Sequence, residues 1–162
     1  MTMQTIHAEI RVFHTSPQEI KEIRKDGRFD DVLFFSDREY SMGKVRAVYS
    51  IDLDERQVIN GRDLEFTGKA EKKAIKELIA ISDKELTKDE AFELLTEKAN
   101  ATDLLRDRMD PESVSELSFD VQRLQGRIAS EDGFQAFRGR DEQGTVYIVP
   151  MSGKLDLLKK VR

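Results

Sequence analysis

The chain has 162 residues, 36% of them charged, a net charge of −5 and no cysteine. A chain of this length buries roughly 70% of its unfolded surface without a staple, so a single domain spanning 1–162 is expected. The missing cysteines exclude thiol nucleophiles, thiolate zinc sites and disulfide frameworks, and the mixed, slightly acidic surface argues against direct nucleic-acid binding, which needs clustered cations.

Apolar residues alternate at Ile6, Ala8, Ile10 and Val12, so Ile6–Phe13 reads as a half-buried strand. Ser16-Pro17-Gln18-Glu19 has the form of a capping box with proline at the first helical position, predicting a short helix that buries Ile20 and Ile23 and stops at Gly27. Val32–Ser36 and Val45–Leu53 read as strands, and Asn60-Gly61 as a turn within a connecting stretch, Val58–Phe66.

From about 68 to 116 the composition turns helical. Ala74, Ile75, Leu78 and Ile79 share a face. Thr87-Lys88-Asp89-Glu90 is a second capping box before Phe92 and Leu95, and Leu104, Leu105 and Met109 mark another helical stretch. Asp110-Pro111 is a break, after which Leu117, Val121, Leu124 and Ile128 form one apolar stripe. Gly126 interrupts that helix at a cost of about 1 kcal/mol, which a close approach to a neighbouring strand would explain. Gly133 ends it. Gln135–Arg138 and Thr145–Val149 read as strands joined by an acidic turn, with a last strand at Lys154–Val161. Strands, then helices, then strands give an α+β fold with a mostly antiparallel sheet.

Two places carry candidate chemistry. In the turn Arg140-Asp141-Glu142-Gln143-Gly144-Thr145, Asp141 and Glu142 are neighbours on an extended chain, so one of them addresses a given cleft. An ionised carboxylate there can stabilise the cationic sugar that forms when a glycosidic bond breaks. At the end of the first strand, Phe13-His14-Thr15-Ser16 offers an imidazole and two hydroxyls to a ribose. Phe35 and Tyr40, and behind them Tyr49, are candidates to contact a flat ring. Arg123 and Arg127 could meet a pyrophosphate. Taken singly, each group has a plain structural reading: a solvated turn, a junction histidine, a core Phe-Phe pair, a solvated helix face. There is no P-loop, no GxGxxG and no metal-ligand spacing.

Together these residues resemble the ADP-ribosyltransferase superfamily, and within it the phage anti-CRISPR ADP-ribosyltransferases that act on the type I-F surveillance complex. The likeness runs through Phe13-His14-Thr15-Ser16, Glu19 to Phe29, Leu33-Phe34 and Ser41-Met42-Gly43. It resumes at Val121–Gly126, Gly133-Phe134 and Asp141-Glu142-Gln143-Gly144-Thr145 to Pro150, and it is weak over Phe66–Glu116. The resemblance implies split antiparallel sheets with a helical insertion, and NAD as co-substrate in a cleft reached by both His14 and Asp141. It implies Asp141, with Glu142 beside it, as the catalytic acid. Phe13, His14, Thr15 and Ser16 would line the ribose pocket, and Phe35, Ser36 or Tyr40 would contact nicotinamide. The implied partner is a protein, a subunit of a CRISPR surveillance complex in the cytoplasm of a phage's host. An NAD glycohydrolase, an ADP-ribosylating toxin and a stoichiometric acidic inhibitor are the competing readings. No apolar run approaches the roughly 20 residues that span a bilayer, and Met1–Ile10 lacks the charge pattern of a secretory signal.

Overall fold

The computed structural model describes residues 8–25, 27–39, 47–141 and 144–162. Ile6, Tyr40, Ser41-Met42-Gly43, Val45, Glu142 and Gln143, named above, lie outside them.

Seven strands of the described residues form one sheet: β1 (Glu9–Ser16), β2 (Val32–Ser36), β3 (Ala47–Asp54), β4 (Val58–Asn60), β5 (Ala136–Asp141), β6 (Gly144–Pro150) and β7 (Lys159–Lys160). Their order is β4-β5-β6-β2-β1-β3-β7, antiparallel except for β4 and β5. The joints differ greatly in length. β1 pairs with β3 over all eight of its residues, and β2 pairs with β6 over all five. Between β1 and β2 there is one register pair, Phe13↔Ser36. The sheet is therefore two ladders hinged at a single row, the split expected of an ADP-ribosyltransferase-like fold.

Alternation along the strands sends side chains to two cores. One face of β2, β4, β5 and β6 contributes Val32, Ile59, Phe137, Val146 and Ile148 to a core shared with the helices. The other face gathers Val12, Phe35, Ile51, Leu53, Tyr147 and Val149 from both ladders. The helices are α1 (Lys69–Ile81), α2 (Lys88–Leu95), α3 (Ala101–Leu105) and α4 (Pro111–Glu131). The Thr87 box opens α2 as expected: the Glu90 N–H donates to Thr87 Oγ1 at 3.1 Å, and the Thr87 N–H donates to Glu90 Oε1 at 3.0 Å. Asp110 caps α4 through the Ser113 N–H at 2.9 Å, with Pro111 in the first turn. No helix among the described residues is long and apolar enough to cross a membrane.

Two elements differ from the sequence reading. Residues 17–25 are not helical. Ser16 stays in the β1 ladder opposite Ala47, and its hydroxyl is taken locally by Gln18. The Ile20 N–H donates to Tyr49 Oη at 2.8 Å rather than starting a helical turn, so a tertiary partner wins over the local box. At the C-terminus, the expected strand shrinks to Lys159–Lys160 on β3, preceded by a 3-10 turn at Leu155–Leu157.

Gly126 faces the sheet. A Cβ there would come within 2.7 Å of Val32 Cγ2 and 3.0 Å of Ile148 Cγ2. Alanine at this position would gain about 1 kcal/mol of helix propensity, but stiff β-branched neighbours have to move, at about 1–3 kcal/mol. Gly126→Ala is therefore expected to lower the urea midpoint. Glu71, buried at the start of α1, has its carboxyl pushed up to about 7 by desolvation first and by Asp132 second. A carboxyl whose folded pKa exceeds its unfolded value holds its proton more tightly when folded, so stability is lost as pH rises from 4.5 through about 7. Glu71→Gln is expected to raise the melting temperature at about pH 8, with the gain vanishing towards about pH 5.

Candidate functional site

The hinge row is built from the sequence motif at the end of β1. Past Phe13↔Ser36, the His14 ring lies 5.5 Å from the Phe35 ring, tilted by 52°. Its Nδ1–H donates to the Phe34 carbonyl at 2.7 Å, which fixes the neutral tautomer and leaves Nε2 as an acceptor. Burial lowers the His14 pKa, and the Phe34 carbonyl only partly offsets that. The row continues across the sheet: Tyr49 stands opposite His14, Tyr147 opposite Phe35, and Arg138 opposite Tyr147 with its guanidinium 5.3 Å from the ring. Arg138 Nε is buried without a hydrogen-bond partner among the described residues.

The other predicted residues of this region divide by what holds them. Ser16 Oγ donates to the Gln18 carbonyl and Ser36 Oγ to the Arg38 carbonyl, both at 2.5 Å, so each hydroxyl already closes a local turn. Phe13 and Thr15 are half-buried. Phe35 is 1% exposed and sits in the core, with no ring face open to a nicotinamide. That corrects its reading as a stacking residue, and the reason is the alternation of β2, which points position 35 inward. Arg123 pairs with Glu77, Asp120 and Asp30, and Arg127 with Glu77 and Asp30. These two arginines brace α4 against α1 and the turn before β2.

Asp141 ends β5 opposite Gly144. It lines a cleft of about 870 Å³ whose other polar walls include Glu97, Asn100, Gln122, Gln125 and Arg140. The structure does not bring Asp141 beside His14. Their strands are three apart, about 14 Å of sheet, and they lie three residues apart along the strands, about 10 Å. Strand alternation puts His14 on the face of the Phe35 core and Asp141 on the helix face. The two groups can share a long ligand that passes the hinge, not a small one.

Three residues of this region escaped the sequence reading: Glu97, Gln125 and Arg138. The Glu97 carboxylate accepts the Arg140 N–H, Oε2 at 3.1 Å and Oε1 at 3.3 Å, and Gln125 Nε2 donates to it at 3.4 Å and to the Leu95 carbonyl at 3.0 Å. The usable signal was Gly139, a glycine between two arginines in a strand, which marks a close approach. A Cβ there would run into the Glu97 carboxylate. Among the described residues no group of His, Cys, Asp or Glu could hold a metal ion.

A family model described as Anti-CRISPR Type I-F ADP-ribosyltransferase AcrIF11 matches residues 10–155. The crystal structure of an anti-CRISPR protein has a TM-score of 0.57 to this chain at 21% identity, over 94% of this chain and 96% of that one, and shows the same fold. No curated protein matches significantly.

Because the neutral His14 ring is preferred in the folded state, its stabilising contribution is complete above pH 6.5 and is lost as pH falls below that value. An imidazole NMR titration is expected to give His14 a midpoint below 6.5, and His14→Ala is expected to flatten the acid limb of the stability profile.

Proposed function

The chain belongs to the anti-CRISPR type I-F ADP-ribosyltransferase AcrIF11 family and is an ADP-ribosyltransferase, and we propose that it transfers ADP-ribose from NAD to a subunit of a type I-F CRISPR surveillance complex, blocking DNA recognition. It acts as one domain, 1–162, in the cytoplasm of the phage's host, with no direct contact to nucleic acid. The observation that carries this reading is Asp141 standing at the open end of β5, on the wall of a large cleft and inside the matched range.

In the reaction the bond from the nicotinamide nitrogen to ribose C1′ breaks. Its electron pair goes to the nicotinamide ring, which loses its positive charge, and positive charge develops on the ribose. The Asp141 carboxylate stabilises that charge electrostatically. A nucleophile of the target subunit then forms the new bond to C1′ and gives up a proton. Glu142, the next residue in sequence, assists in holding the ribose. His14, Phe13, Thr15 and Ser16 hold the far side of the dinucleotide at the hinge, which suits their distance from Asp141. Tyr40, rather than the buried Phe35, contacts the nicotinamide, and Ser36, opposite Phe13 in the hinge row, lines the path of the dinucleotide.

The thin joint between β1 and β2 supports this reading. A sheet hydrogen-bonded along its whole length would offer a ligand one face or the other. A sheet joined at one row sets fewer backbone hydrogen bonds in the path of an extended dinucleotide past Phe13 and Ser36.

Label transfer from radiolabelled NAD to the purified surveillance complex tests the proposal. The parent protein is expected to label one subunit, and Asp141→Ala to lower the rate by about 10²–10³, as for loss of a preorganised charge-stabilising group. Nicotinamide release without label on protein would instead assign the chain as a glycohydrolase. Inhibition that follows protein concentration and ignores both NAD and Asp141 would leave a stoichiometric inhibitor.

A further inference from the structure

β4 ends at Asn60, opposite Arg138, so among the described residues β5 runs on towards Asp141 with no strand on that side. An open edge of this kind leaves backbone donors unpaired. The Glu97 side chain fills the gap by accepting the Arg140 N–H with both carboxylate oxygens. The placement of Glu97 is costly. It follows the C-cap of α2, Thr96, and its φ is 64°, the left-handed conformation in which glycine is the usual residue. Two glycines make way for it. A Cβ on Gly61 would strike the Thr96 backbone, and one on Gly139 would strike the Glu97 carboxylate. Gln125, 2% exposed, holds the carboxylate from α4 and fixes the end of α2 through Leu95. A helix end, two glycines and a buried amide are all arranged to bring one carboxylate to one amide, a single residue before Asp141.

We propose that Glu97 is a positioning residue for the transfer reaction: it closes the open edge of β5 and so fixes the strand end that carries Asp141. This inference rests on the proposed function, in which Asp141 acts on the reacting ribose. Glu97 itself touches no reacting atom. Its carboxylate bonds the backbone, and strand alternation and the cleft wall then aim the next side chain. Loosening that edge should therefore slow the chemical step and leave NAD affinity nearly unchanged. A glycine at 97 would remove the clamp while relieving the left-handed backbone, so a loss of activity would not come from a loss of fold.

The test compares the parent with Glu97→Gly and Glu97→Gln by hydrogen exchange at the Arg140 amide, thermal melting, and nicotinamide release from NAD in the presence of the surveillance complex. Glu97→Gly is expected to melt no lower than the parent, to speed Arg140 exchange, and to lower kcat by about tenfold to a hundredfold, with KM for NAD within about twofold. Glu97→Gln keeps one accepting oxygen and is expected to retain most of both the protection and kcat. Parental kcat or a protected Arg140 amide in Glu97→Gly overturns the inference. So does a Glu97→Gln variant that loses activity while its Arg140 amide stays protected, because Glu97 would then act chemically. A parent protein that releases no nicotinamide overturns the proposed function itself, and this inference with it.

Discussion

The two ladders of the sheet meet at one short joint between β1 and β2. It consists of the Phe13↔Ser36 pair and the His14 imidazole on the Phe34 carbonyl. A hydrogen bond of this kind contributes about 0.5–1.5 kcal/mol net, too little to hold two ladders together. The core on the Phe35 face does that. Val12 and Ile51 from one ladder pack with Phe35, Tyr147 and Val149 from the other, and each such buried side chain is worth about 1.5–3 kcal/mol. Packing therefore closes the molecule, and the hydrogen bonds of the hinge row add little to it. That division of labour explains how a sheet with so short a joint stays in register.

On the opposite face α4 is the organising beam. Its stripe from Val114 to Ile128 lies on the sheet, Gly126 lets it come close, and its arginines are neutralised by Asp30, Glu77 and Asp120. Gln125 carries the same helix's influence to the Asp141 end of β5 through Glu97. The helical region thus supplies the carboxylate that accepts the Arg140 N–H, one residue before Asp141. A transferase must present its acceptor beside the ribose, and the cleft wall that α2, α3 and α4 build next to Asp141 is where such an acceptor would be admitted.

Much of the fold could be read directly from the chain because local and tertiary preferences agree. Val32–Ser36 and the Thr87 box are examples, as is the use of Gly126 for close packing. The Ser16 box failed although its residues were right, because the β1 ladder and Tyr49 claimed its backbone first. Phe35 could not be distinguished from an open aromatic by sequence, since its burial depends on which face of β2 the second core occupies. The separation of His14 from Asp141 is a matter of strand order, and no local pattern encodes that order. Glu97 was hidden for a similar reason: its role comes from where β4 stops.

In the proposed reaction one dinucleotide spans from the hinge row to the end of β5. A crystal structure of the protein with a non-hydrolysable NAD analogue tests it most directly. The ligand is expected to run past Phe13 and Ser36, with one ribose near His14 and the nicotinamide ribose within hydrogen-bonding reach of Asp141. An analogue bound wholly on one face of the sheet, touching His14 or Asp141 but not both ends, would contradict it.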